Sequence, residues 1–159
     1  MARGCLVCCG DAQPNGAGAF CESEYWSQEL PSHLQNPAIP IHVKEFWTVI
    51  ASVALWGSAW KGKLVYIFSD NKAVVDVLDK EKPRDPLMSS LLREFLYVVC
   101  TRGFSPVFRF IATERNHIAD FLSRHHYQPT ISSYLQKHAQ RLMLRRTVPS
   151  SFFKPAGIW

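Results

Sequence analysis

Four acidic residues, Asp11, Glu45, Asp70 and Asp120, are spaced 34, 25 and 50 residues apart, and each belongs to a different element. Leu64 to Phe68 is an unbroken apolar run, the pattern of a strand covered on both faces, and it leads straight into Ser69-Asp70-Asn71. Asp11 closes a first short strand, CLVCC at 5–9. Glu45 falls in the first turn of a helix whose next 15 residues, Phe46 to Trp60, carry no charge. Asp120 sits in the first full turn of a short helix that begins at Asn116. Each acid has an ordinary reading. Asp11 suits a turn, Glu45 a helix dipole, Asp70 a cap, and Asp120 an i,i+4 pair with Arg124. Four together at one sheet edge would be another matter. Like charges raise each other's pKa, so such a pocket calls for cations, and oxygen-only donors select hard ions such as magnesium or manganese. Two such ions about 3.5–4 Å apart form the clamp used for in-line phosphoryl displacement.

The elements needed to position these acids are legible in outline. Pro14 and Asn15-Gly16 mark a hairpin turn after the first strand. Return strands are expected over 17–22 and 25–29, followed by a proline-rich loop containing Pro31, Pro37 and Pro40. A long core helix is expected over 42–60, then the strand at 64–68 and helices over 71–80 and 87–101. A further strand is expected over 104–111, with helices over 116–123 and 131–146. This order predicts one α/β domain: a mixed five-stranded sheet, three strands antiparallel and then two parallel, with helices on both faces. Its predicted extent is 1–124, with 125–159 as a basic C-terminal helix and tail ending loosely around Pro149 and Pro155.

Composition narrows the class. The 159 residues are 47% hydrophobic and 19% charged, a globular balance. The net charge of +5 is unevenly placed: residues 115–159 hold seven Lys/Arg and one acid, while the rest of the chain is slightly acidic. That asymmetry suits a polyanionic partner. No secretory signal or membrane span is expected, which implies an intracellular protein, in cytoplasm or nucleus. The five cysteines suggest reduced, buried thiols, and Cys5-x-x-Cys8 lacks the second pair a structural zinc site needs.

Four segments together resemble the ribonuclease H domain of retroelement reverse transcriptases, of the gypsy and DIRS types: GDAQPNGAGAF (10–20), HVKEF (42–46), SDNKAVV (69–75) and NHIADFLSR (116–124). The resemblance spans about residues 5–124. It implies an RNase H-like fold and metal-dependent hydrolysis of the RNA strand of an RNA–DNA hybrid, with Asp11, Glu45, Asp70 and Asp120 as catalytic ligands of two Mg²⁺ or Mn²⁺ ions. Asn71 and the backbone at Gly16 and Gly18 would approach the minor groove, where the 2′-hydroxyl distinguishes RNA from DNA. Lys72 and Arg124 would meet phosphates. Outside the resemblance, the basic cluster Lys137, Arg141, Arg145 and Arg146 suits nucleic-acid binding by the tail. A monomer is expected, either the end of a larger polyprotein, with a polymerase domain as a possible partner, or a stand-alone open reading frame derived from one. The chain departs from the family in having Ala17 between the hairpin glycines. The link at 112–115 is too short for the histidine-bearing loop of many relatives, and His117 reads as a surface residue. A catalytically silent, nucleic-acid-binding domain is the alternative. Recombination and integration nucleases share the fold but usually carry three acids.

Overall fold

The computed structural model describes residues 4–83, 86–126, 129–139 and 143–149. Strand β1 (Cys5–Ala12) turns at Pro14-Asn15 into β2 (Gly16–Cys21), which pairs antiparallel with it, and β3 (Glu24–Glu29) continues the meander. Helix α1 (Ile41–Trp56) crosses to β4 (Leu64–Ser69), and α2 (Lys72–Lys80) and α3 (Pro86–Arg102) lead to β5 (Ser105–Phe110). Both later strands run parallel to β1, in the order β5-β4-β1-β2-β3. Helices α4 (His117–Arg124) and α5 (Ile131–His138) follow, and Leu144–Arg145 forms a sixth strand, β6, beside β3.

The mixed sheet with helices on both faces is as expected, apart from the added strand. Helices α1, α2 and α3 bury their apolar sides in one cluster with Trp26, Val65 and Ile67; α4 and α5 close over Tyr25 on the other face. Helix α1 is apolar on nearly every side because the sheet and α3 enclose it. Its buried hydroxyls are satisfied within the helix. Thr48 and Ser52 donate to the carbonyls of Lys44 (2.9 Å) and Thr48 (2.8 Å), and Ser52 also accepts the Trp26 indole N–H at 3.1 Å. The Trp26 ring meets Trp47 edge-on, with centroids 6.2 Å apart. Fully burying one such aromatic stabilises by about 1.5–3 kcal/mol. Gly103, at φ +70°, ends α3 by donating its N–H to the Val99 carbonyl, the left-handed cap that a glycine permits.

Several expectations need correction. The long helix ends at Trp56, and Gly57–Trp60 tightens into a 3₁₀ turn. The basic helix expected to reach Arg146 stops at His138. The chain then folds back on the domain instead of trailing. Leu144 N–H donates to the Ser23 carbonyl and Arg146 N–H to the Tyr25 carbonyl, both at 2.7 Å. Val148 is buried in the main core, with its N–H donating to Gln28 Oε1. Extended pairing prevailed because β3 otherwise presents an open edge whose backbone groups need partners. Pro155 lies outside the described residues. Among the cysteines, Cys8, Cys9 and Cys21 are buried, but Cys5 and Cys100 are exposed. The opposite edge of the sheet is β5, which carries Pro106 as its second residue.

Candidate active site

The acids meet where β1 and β4 end side by side. Asp11 is the seventh residue of β1, paired with Gly18 of β2, and is therefore a strand residue and not part of the turn. Asp70 follows β4 directly. It does not cap α2; Asn71 does, its side-chain oxygen accepting the Val74 N–H at 3.3 Å. Glu45 enters from α1 and is 5% exposed, too deep for its role to be a surface partner of the helix dipole. One carboxylate oxygen from each of Asp11, Glu45 and Asp70 lies within 4.8 Å of the other two. Asp120 lines the same open cleft, of about 380 Å³, with Gln13, Asn71, Thr113 and Arg124. A hollow of about 460 Å³ between α2, α3 and β5 is larger, but it is lined mainly by apolar groups such as Leu78, Phe95 and Val99.

The electrostatics follow from this crowding. Burial, then the charge of Asp11, pushes the Glu45 carboxyl well above its ordinary value, and a hydrogen bond to Asp11 adds to the rise; the backbone of Ala12 opposes it. Asp70 is raised for the same two leading reasons, with a hydrogen bond from Thr113 acting against them. The cluster therefore holds more negative charge than its surroundings neutralise. Three converging hard oxygen donors with that excess fit a divalent cation such as magnesium or manganese.

Residues not singled out from sequence complete the site. Ser123 Oγ lies 2.7 Å from Asp11 Oδ2 and 2.8 Å from the Asp120 carbonyl. Its single proton goes to the carboxylate, the stronger acceptor. Gln13 Nε2 lies 3.1 Å from Asp11 Oδ2 and 3.4 Å from Asp120 Oδ1, so its two hydrogens join the acids. Lys44 donates to the Pro14 carbonyl at 2.8 Å and ties the β1–β2 turn to α1. Asn116, read from sequence as the start of α4, makes no side-chain cap; its amide donates to the Gly10 carbonyl at 3.2 Å and fastens the helix start to β1. Asn116 and Ser123 lie inside the NHIADFLSR motif, so the motif carried a signal for them. Gln13 carried none.

The expected nucleic-acid contacts fare unevenly. Asn71 lines the cleft and Lys72 is exposed beside it. Arg124 also lines the cleft, with Nε 3.0 Å from Asp120 Oδ1. Gly16 and Gly18 are buried beneath α4. A Cβ on Gly18 would meet Leu122 at 2.6 Å, so these glycines admit the helix and are not open to a duplex. Lys137 is exposed on α5. Arg145 instead donates to the Ser27 carbonyl at 2.9 Å, and Arg146 pairs with Glu24 at 2.8 Å; both fasten the returning chain to β3. Arg141 lies outside the described residues. His117 is exposed, as expected, and stacks edge-on with His138.

Such a sheet, with carboxylates gathered at the ends of its central strands, is the ribonuclease H fold. The N-terminal RNase H domain of a Mycobacterium tuberculosis protein, solved as a fusion with maltose-binding protein, superposes with a TM-score of 0.62 at 16% identity, covering 79% of this chain and all of that one. RNase H1 of Halobacterium salinarum matches with a TM-score of 0.57 at 13% identity, over 77% of this chain and 97% of its own. An RNase H1 designated LC11, solved in complex with an RNA/DNA hybrid, gives 0.56 at 18% identity, over 75% and 92%. No family model and no curated protein sequence matches the chain. Among the described residues, no helix is long and apolar enough to cross a membrane.

Proposed function

We propose that this protein is a metal-dependent endonuclease that hydrolyses the RNA strand of RNA–DNA hybrids, and that it descends from a retroelement reverse transcriptase. The observation that carries this reading is the convergence of Asp11, Glu45 and Asp70 from three separate elements, with Asp120 in the same cleft. Those four carboxylates would hold two hard divalent ions. When bound, such ions supply Lewis acidity for in-line displacement at phosphorus. The chain's own part is to hold the acids in place. Ser123 fixes one oxygen of Asp11, Thr113 bonds Asp70, and the Ala12 backbone steadies Glu45. Asn71, which lines the cleft, and Lys72, exposed next to it in sequence, would meet the minor groove and a phosphate of the hybrid. The four motif segments support descent from a retroelement.

The test is cleavage of a labelled hybrid by the purified chain with magnesium. Wild type should cut the RNA strand and leave 5′-phosphates, while Asp70→Asn should bind the hybrid without cutting it. Binding by wild type with no cleavage, unaffected by Asp70→Asn, would favour a silent binding domain instead.

A further inference from the structure

The four acids are not equivalent. Asp11, Glu45 and Asp70 present oxygens within 4.8 Å of one another, whereas Asp120 is engaged by two nitrogen donors. Gln13 Nε2 reaches Asp11 Oδ2 at 3.1 Å and Asp120 Oδ1 at 3.4 Å, so the carboxamide lies between the two carboxylates. A cation held jointly by Asp11 and Asp120 would need that position. Arg124 Nε lies 3.0 and 3.1 Å from the two oxygens of Asp120 and supplies a positive charge already in contact with it. The side chain of Asp120 is 31% exposed and that of Arg124 53%, so both can move without disturbing the core.

We propose that Gln13 and Arg124 form a clasp on Asp120 that competes with the second divalent ion, making the two ion affinities unequal. The inference rests on the nuclease reading and adds to it which residues set the weaker affinity. The first ion meets three acids already gathered. For Asp120 to help hold a second ion, its carboxylate would have to give up the Gln13 amide and the Arg124 guanidinium. Gln13 and Arg124 are thus positioning residues, and the concentration of magnesium that fills the second position is written in their side chains.

The experiment is titration of the full chain with Mn²⁺, with the free ion followed by its electron paramagnetic resonance signal and without nucleic acid. Wild type should bind one ion tightly and a second more weakly. Gln13→Ala should tighten the second step by about tenfold, the worth of one hydrogen bond to a charged group. Arg124→Gln should tighten it by about twofold, as for an exposed i,i+4 pair. Arg124→Gln should leave the first step alone, whereas Gln13→Ala also releases Asp11 Oδ2 and should tighten the first step as well. In an Asp120→Asn background, Arg124→Gln should change nothing and Gln13→Ala should keep only the part of its effect that runs through Asp11, a coupling a merely structural pair would not give. Two ions bound with the weaker step unchanged or loosened by Gln13→Ala would overturn the clasp and leave the nuclease reading standing. No ion bound by wild type would overturn both.

Discussion

Replacing Gly18 by alanine asks whether α4 is held at the distance the chemistry needs. The added Cβ would lie 2.6 Å from Leu122 Cβ and 2.7 Å from the Leu122 carbonyl carbon, where ordinary contact begins near 3.4 Å. The obstacle is partly helix backbone, so no rotamer change relieves it. To restore contact, α4 must retreat by roughly 0.8 Å or β2 must bend away, and overpacking of this kind costs about 1–3 kcal/mol. For a domain of this size that lowers Tm by about 2–12 °C. The same retreat would stretch the 2.7 Å bond from Ser123 to Asp11 to the edge of hydrogen-bonding distance. Displacements of about 1 Å near a reacting centre can cost about a hundredfold in rate. Scanning calorimetry and initial rates on a labelled hybrid measure the two effects. Gly4→Ala, where an added Cβ meets nothing within 4 Å, is the neutral control, and Gly10→Ala, whose closest contact is the Thr48 methyl at 3.2 Å, should fall between. A Gly18→Ala protein as stable and as fast as wild type would refute the close-approach argument.

Three further outcomes are expected. The Glu45 carboxyl is raised in the fold, so its contribution to stability is full below its ordinary value of 4.5 and is lost as pH rises through the folded value. In chelator, Tm should therefore fall as pH is raised above about 4.5; Glu45→Gln should flatten that slope, and magnesium should offset it in wild type, all readable by thermal melts. Ending the chain at Arg124 would remove Ile131 and Leu135, which cover Leu122 and Tyr25, together with Val148 and the pairing on β3. Circular dichroism melts should show a loss of several kcal/mol, about 2–5 for each large apolar side chain removed from a core. In salt titrations of hybrid binding, Lys137→Ala should lower the log–log slope by about one if Lys137 meets a phosphate. Arg145→Ala should leave that slope unchanged while lowering Tm.

Local chemistry made much of this molecule readable. Asn15-Gly16 announced the hairpin, the uncharged run after Glu45 announced a helix enclosed on all sides, and the apolar run ending at Asp70 announced a central parallel strand. These signals work because each reports burial or turn geometry within a few residues of itself. The segment after residue 138 was misread because its fate depends on a distant vacancy, the free edge of β3, which no local pattern reports. The contacts of Arg145 and Arg146 were hidden for the same reason: both residues reach solvent, but their acceptors, Ser27, His126 and Glu24, lie 19 to 122 residues away. In the site, the acids were legible only as a set, because each alone had an ordinary reading and their spacing across separate elements set them apart. Gln13 was not, since an amide in a turn has many ordinary explanations.

At one edge of the sheet β6 covers the start of β3, and at the other the outer side of β5 has no neighbouring strand among the described residues. A bare strand of this kind is a template for another copy of itself. Pro106 has no N–H to offer there, and Arg109 adds a charge that would sit close to its counterpart in any stacked arrangement. The proline thus acts as a guard against fibre-like self-pairing, and a preparation carrying valine at that position should cloud at concentrations where the natural chain stays clear.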